Sequence, residues 1–349
     1  MNFVKKIFMG FVIFVLMLVC IFLGVGLATS APGYKGPVSG HFNGSKFLNG
    51  EGYDEQGFRQ LLKWATNRVP GEWAELKEED VEYGKKPATR ISDSTHVITY
   101  INHSTFLIQL DNLNIITDPV YSKRVSPFSF AGPKRMRPPG IRFEDLPEID
   151  VVLISHNHYD HLDIDTIKKI RDAFDPLFIT PLGVDLYLKK NGVSNTTSLD
   201  WWEEAQVSES IDIAAVQAQH FSSRGPFDRD KTLWAGFVIK SQQGNIYFAG
   251  DTGYNTFFKE IGERYSPIKT ALIPIGAYIP RWFMSPVHVD PVQGIQIHKD
   301  VKAELSIGMH FGTFPLADDG HDDPINEFNA AVGNENFVLL GEGEQIVRQ

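Results

Sequence analysis

The chain reads as an α/β (α+β) protein in which a central pair of sheets carries helices on its outer faces. Three observations predict this. Short β-rich apolar runs alternate with segments of helical period from Val97 onward. Four of those runs end at a His or an Asp, so their strands bring polar groups to one edge. Directly after Val151-Val152-Leu153-Ile154, the loop Ser155-His156-Asn157-His158-Tyr159-Asp160-His161-Leu162-Asp163 crowds His-x-His-x-Asp-His into nine residues.

At the amino end, Met1 to Lys6 is short and basic, and Ile7 to Leu27 supplies 21 uncharged residues, enough to span a bilayer. Ala28-Thr29-Ser30-Ala31 offers small residues to a signal peptidase. A signal peptide is thus the competing reading, but its apolar core is usually only about 7–15 residues, which favours a retained anchor over residues 1–29. Lys5 and Lys6 hold the amino end in the cytoplasm, so the rest is expected outside it, in the periplasm of a bacterium. Cys20 is the only cysteine and excludes an internal disulfide. Residues 30–90 read as an extension or linker. Its Gly-rich stretches Asn43-Gly44-Ser45 and Asn49-Gly50-Glu51-Gly52 suggest an ordered loop or tether, and the acidic Glu72 to Glu82 a solvated helix.

Residues 91–349 read as one catalytic domain. Val97-Ile98-Thr99-Tyr100-Ile101, Phe106-Leu107-Ile108-Gln109-Leu110 and Leu113-Asn114-Ile115-Ile116-Thr117 are strand-like, and Asp111-Asn112 fits the turn of a hairpin. Ile164, Ile167, Ile170 and Phe174 recur at helical spacing behind Asp163, a capping residue. Further on, Asp290-Pro291 marks a helix start running to about Lys299.

The His-rich loop is a metal site by its chemistry. His and Asp are costly to bury unpaired, and a cation is their natural shared partner. In extended backbone, His156 and His158 project to one side, while the turn at Tyr159 brings Asp160 and His161 toward a second point, so two metals fit. Imidazole and carboxylate suit zinc, with manganese or iron as alternatives, and a closed structural zinc site is the competing reading. Ile213 to Gln219 leads into His220, Ile246 to Gly250 into Asp251, and Leu305 to Met309 into His310. Together these make a set of five His and two Asp.

From Val97 to the end the sequence resembles the metallo-β-lactamase superfamily, and within it the N-acylphosphatidylethanolamine-hydrolysing phospholipase D group. Beyond the ligands, the strings that carry the likeness include His103-Ser104-Thr105, Thr117-Asp118-Pro119, Gly132-Pro133-Lys134-Arg135, Leu199-Asp200-Trp201-Trp202-Glu203-Glu204, Gly250-Asp251-Thr252-Gly253-Tyr254, Pro280-Arg281-Trp282-Phe283-Met284, His288-Val289-Asp290-Pro291 and His310-Phe311-Gly312-Thr313-Phe314. The resemblance implies a four-layer αββα sandwich. It also implies that His156, His158 and His220 hold one zinc ion and Asp160, His161 and His310 a second, with Asp251 bridging. The absence of a Cys ligand makes antibiotic hydrolysis a poor expectation.

The surroundings narrow the substrate. His288, just before the Asp290 helix start, is positioned to hydrogen-bond or protonate a phosphate oxygen, and a helix N-terminus favours anions. The formal charge of −10 argues against nucleic acid, yet Lys123, Arg124, Lys134, Arg135, Arg137 and Arg142 fall in one Pro- and Gly-rich stretch suited to anionic lipid or phosphate. Phe128, Phe130, Phe221, Trp282, Phe283 and Met284 are candidates for acyl contact, and Tyr159 for the substrate border; Trp201 and Trp202 read as structural. The expected activity is phosphodiester cleavage of an N-acylphosphatidylethanolamine-type phospholipid, with Asp160, Asp251 and His288 catalytic. The expected partners are that phospholipid and a membrane, with a homodimer left open. A metal-dependent lactonase or carboxylic-ester hydrolase and a non-catalytic envelope lipid-binding protein are the alternatives.

Overall fold

The computed structural model describes residues 2–349 apart from Glu51, Asp93 and Ser94; Met1 and Glu51 of the segments above thus lie outside the described residues. The first sheet contains β1 (His96–Asn102), β2 (Thr105–Leu110), β3 (Leu113–Thr117), β4 (Val151–Leu153), β5 (Leu177–Pro181) and β6 (Thr196–Leu199). The second contains β7 (Glu204–Gln206), β8 (Asp212–Val216), β9 (Gly236–Lys240), β10 (Asn245–Phe248), β11 (Ile268–Pro274), β12 (Ser306–Met309) and β13 (Phe337–Val338). The last strand, β14 (Gln345–Arg348), returns to the first sheet beside β1. The orders are β14-β1-β2-β3-β4-β5-β6 and β13-β12-β11-β10-β9-β8-β7.

Burial explains why the central strands lack clean alternation. In β2, Phe106, Ile108 and Leu110 enter the core between the sheets, while Leu107 enters the outer core with Ile167 and Ile170. Both faces are covered, so both must be apolar. The helices are α1 (Asn2–Thr29), α2 (Phe58–Thr66), α3 (Ile164–Phe174), α4 (Val184–Lys190), α5 (Phe257–Tyr265), α6 (Arg281–Met284), α7 (Pro291–Asp300) and α8 (Asp323–Ala331). α3 and α4 cover the first sheet through Ile167, Ile170, Val184 and Leu188, while α5 and α7 cover the second through Phe258, Ile261, Ile295 and Ile297. This is a mixed α/β two-sheet sandwich with helices outside.

Local chemistry sets the joints. Asp111 and Asn112 take φ of 46° and 63°, the left-handed pair that closes the β2–β3 hairpin. Asp163 accepts from Asp165 N at the start of α3, and Asp290 from Gln293 N at the start of α7, where Pro291 needs no donor partner. α1 is long and apolar enough to cross a membrane.

The extension packs on the sandwich. Phe42 and Phe47 are buried with Ala218, Leu233 and Trp234, and the His41 ring stacks on Trp201 at 4.6 Å. The acidic segment is not the expected helix: apart from one turn at Glu78–Asp80 it runs irregularly against the domain. Gly71 N, just before it, donates to Asp318 O, and Leu76 N within it donates to Met136 O. A Cβ at Gly71 would lie 2.3 Å from Gly320 N, so the segment is pressed flat where a helix would need room.

Candidate metal centre and cavity

The candidate ligands gather where strands end. His103 follows β1, Asp118 follows β3, the His156–His161 loop follows β4, and His220, Asp251 and His310 follow β8, β10 and β12 within a few residues. His103, Asp118 and His310 have φ of 48°, 32° and 62°. Such non-glycine conformations cost of order 1–3 kcal/mol each and are concentrated at functional sites. Gly250, with φ 60°, lets Asp251 approach the loop, since a Cβ there would meet Ser155 Cβ at 2.7 Å.

At the first point, His156 Nε2 lies 2.9 Å and His220 Nε2 3.2 Å from His158 Nδ1. Ser155 Oγ donates to Asp118 Oδ2, which leaves its own oxygen to accept from His156 Nδ1 at 2.9 Å. His220 Nδ1 donates to Val287 O at 3.0 Å. Both bonds fix the tautomer that turns an Nε2 lone pair inward. Burial holds these imidazoles neutral: His156 and His220 lie well below the usual histidine range, and His158 is lowered to about 3. Converging lone pairs of neutral imidazoles fit a cation.

At the second point, Asp160 Oδ2 lies 3.3 Å from both His161 Nε2 and His310 Nε2, and Asp251 Oδ2 lies 3.2 and 3.0 Å from the same nitrogens. Asp251 Oδ2 is also 3.7 Å from His220 Nε2, so this oxygen stands between the two points. His161 Nε2 and Asp251 Oδ1 are buried without a hydrogen-bond partner among the described residues. Burial alone would raise both carboxyls, but the positive charge of His161, with His310 and, for Asp160, His103 beside it, holds them well below the carboxylate range. Against the same burial, the carboxylates push His161 well up and His310 to about 9. This cluster draws positive charge, as a metal site must, and its imidazole and carboxylate donors fit divalent metal.

His103 and Asp118 complete the constellation without having been assigned roles from sequence. His103 Nε2 is 3.1 Å from Asp160 Oδ2, its ring centroid 4.1 Å from that of His310, and burial lowers its pKa to about 3. Asp118 accepts from His161 Nδ1 at 2.6 Å and from Ser155 N at 2.7 Å. The signal was present in the sequence, because both residues sit directly after strand-like runs, as His220 and His310 do. Asn49 is a third such residue: it donates to His220 O and accepts from His220 N, bracing a ligand from the extension.

A cavity of about 770 Å³ opens over the centre. His158, Asp160, Asp251 and His288 form its polar floor, and Phe58, Leu61, Trp64, Phe221, Phe283 and Met284 line its walls. Phe221 packs on His158 with centroids 4.4 Å apart. His288 Nδ1 lies 3.9 Å from Asp251 Oδ2 and has no hydrogen-bond partner among the described residues; burial lowers its pKa to about 4. Among the described residues, Arg229 brings a cation to the lining, stacked 4.4 Å over Phe221.

Four expected substrate contacts fall elsewhere. Tyr159 turns away from the centre, donating its hydroxyl to Arg224 O with its ring against that guanidinium. Lys134 is exposed and paired with Glu75 at 2.5 Å. Arg135 is buried, donating to Val120 O and Ser122 O over the Phe314 ring. Trp282 is exposed beneath the Lys63 ammonium and does not line the cavity, whose wall is left to Phe283 and Met284. In each case the direction of the side chain depended on tertiary packing that spacing alone does not reveal.

Residues 113–311 match the family model described as a beta-lactamase superfamily domain. The chain is 42% identical over 270 residues to N-acyl-phosphatidylethanolamine-hydrolyzing phospholipase D 1 of Caenorhabditis elegans, covering 72% of this chain and 76% of that one. It is 37% identical over 226 residues to the mitochondrial N-acyl-phosphatidylethanolamine-hydrolyzing phospholipase D of Saccharomyces cerevisiae, covering 63% of this chain and 48% of that protein, about half its length. Among solved structures, Igni18, a metallo hydrolase from the archaeon Ignicoccus hospitalis, aligns with a TM-score of 0.57 at 25% identity, over 73% of this chain and 99% of that one.

Proposed function

We propose that this metal-dependent hydrolase, which belongs to the metallo-β-lactamase superfamily, cleaves N-acylphosphatidylethanolamine-type phospholipids into phosphatidic acid and an N-acylethanolamine. The observation that carries the reading is the cavity: a His/Asp floor fit for metals meets walls of Phe58, Leu61, Trp64, Phe221, Phe283 and Met284. A phosphodiester carrying long acyl chains matches both surfaces.

In this reading His156, His158 and His220 hold one zinc ion and Asp160, His161 and His310 the other, with Asp251 between; manganese or iron would suit the same donors. When bound, such ions supply Lewis acidity toward the phosphoryl oxygens and lower the pKa of water. Asp160 and Asp251 orient the attacking water by accepting hydrogen bonds from it. Its oxygen bonds to phosphorus, the bond from phosphorus to the ethanolamine oxygen breaks, and a proton ends on that leaving oxygen. His288, whose Nδ1 lacks a partner among the described residues, donates a hydrogen bond to the departing or non-bridging oxygen. The apolar wall holds the acyl chains and excludes bulk water.

Residues 1–29 act as the anchor, 30–90 as an extension and 91–349 as the catalytic domain, outside the cytoplasm. The carboxyl end of α1 and the residues just after it support an anchor that sits beside the catalytic domain. Phe22 meets Phe227 edge-on at 5.8 Å and Ala31 N donates to Asp228 at 2.7 Å, while the adjoining Gly225 and Pro226 line the metal cavity. The test is phosphatidic acid release by the metal-quantified full chain from vesicles of N-acylated, plain and lyso phospholipids. Release is expected to be highest from the N-acylated lipid and lost on chelation; release that survives thorough metal removal would contradict the reading.

A further inference from the structure

A second cavity, of about 480 Å³, lies where α1 ends. Ala28 and Thr29 of its last turn form one side, and Ser122, Lys123, Arg124 and Ser126 face them. Arg224 lies in the wall, nine-tenths buried between the Tyr159 and Tyr187 rings. Its terminal nitrogen is satisfied by Asn157 O and Leu162 O, but its Nε is buried without a partner among the described residues. The Lys123 ammonium also has no acidic partner among the described residues, and it is exposed.

The acidic groups of this cavity are Asp163 and Asp165. Asp163 is already used: its carboxylate accepts from Tyr121 N, Ser122 N and the hydroxyls of Ser122 and Thr166. Asp165 is exposed on the first turn of α3. Three cations thus face one carboxylate without such bonds. The loop above has an alternating pattern: Pro127 and Ser129 line the cavity, while Phe128 and Phe130 are 38% and 79% exposed, with centroids 5.5 Å apart. A polar, cationic pocket beside two exposed aromatics, at the end of an apolar span, has the layering of a membrane interface.

We infer that this cavity holds the phosphate of an anionic phospholipid from the leaflet in which α1 ends, separate from the lipid that the metal centre cleaves. Lys123, Arg124, Arg224 and the hydroxyls of Ser126 and Ser129 take the phosphate, and Phe128 and Phe130 enter the acyl region. The inference rests on the anchor reading of α1 but not on the identity of the cleaved lipid. The same chemistry would suit free phosphate, so the experiment separates the two.

The full chain is reconstituted in phosphatidylcholine bilayers with and without phosphatidylglycerol, and retained lipid is counted by native mass spectrometry after mild extraction. One phosphatidylglycerol is expected to stay bound in preference to phosphatidylcholine and to resist inorganic phosphate. Lys123→Glu should weaken retention about thirtyfold and Lys123→Ala about fivefold, at the usual strength of basic residues near anionic lipid. Lys259→Glu, on exposed α5 surface, should retain it fully. Retention unchanged in both Lys123 variants would overturn the site, and displacement by inorganic phosphate would overturn the lipid assignment. Alkaline carbonate tests the anchor separately. A chain stripped from the bilayer refutes the anchor reading; a chain that stays in it without a lipid preference refutes this inference alone.

Discussion

Asp118→Asn changes one buried group at constant volume and isolates what that carboxylate does for the metal centre. Its Oδ1 accepts from Ser155 N at 2.7 Å, and its Oδ2 from Ser155 Oγ and His161 Nδ1, each at 2.6 Å. The backbone amide cannot turn, so an asparagine would keep its oxygen there and present its amino group to His161 Nδ1. The imidazole must then accept at Nδ1 and carry its proton on Nε2, the nitrogen that faces Asp160 and Asp251. That proton blocks the lone pair a metal needs. Loss of such a supporting carboxylate typically costs about 10- to 100-fold in metal affinity, or roughly 1.4–2.7 kcal/mol. Metal content measured by mass spectrometry against a graded chelator series reads this directly, with turnover in parallel. An asparagine variant that folds and binds both metals as tightly as the parent would refute the tautomer argument.

Other perturbations separate structure from chemistry. His103→Gln should retain two metals and lose about tenfold in turnover, since His103 reaches the site through Asp160; a stoichiometry of one would make His103 a ligand. Leu61→Asp should raise KM for long-chain substrate while leaving a short soluble phosphodiester unaffected, because Leu61 lines only the wall; equal losses on both substrates would contradict an acyl role. Arg135→Ala should lower stability by about 3 kcal/mol in denaturant melts, as Val120 O and Ser122 O lose a buried charged donor. His96 is buried beside Arg348 and Lys269, and burial first, then those charges, lower its pKa to about 4. The unfolded chain takes up that proton near pH 6.5, so between about pH 4 and 6.5 the unfolded state holds more protons and stability rises with pH. His96→Gln should flatten that segment of the stability profile.

The His and Asp residues of the cluster could be picked out because each follows a β-rich run, and a strand end is a place that local sequence marks well. The Asp111-Asn112 turn and the caps at Asp163 and Asp290 were legible for the same reason: their chemistry is satisfied within a few residues. What escaped depends on distant partners. Nothing near Phe42 or Phe47 reveals that Trp234 covers them, and nothing near Asn49 reveals that it braces His220. The side of the loop to which Tyr159 turns is decided by Arg224, and the fate of Arg135 by two carbonyls and Phe314. The acidic segment satisfied a composition rule for helix, but tertiary amide partners and the close approach at Gly71 took precedence.

The most direct test of attack at phosphorus is hydrolysis of N-acylphosphatidylethanolamine by the metal-loaded full chain in heavy-oxygen water, with both products weighed by mass spectrometry. One heavy oxygen per turnover is expected in phosphatidic acid and none in the N-acylethanolamine. Label in the N-acylethanolamine, or in a free fatty acid released from an ester, would contradict the account.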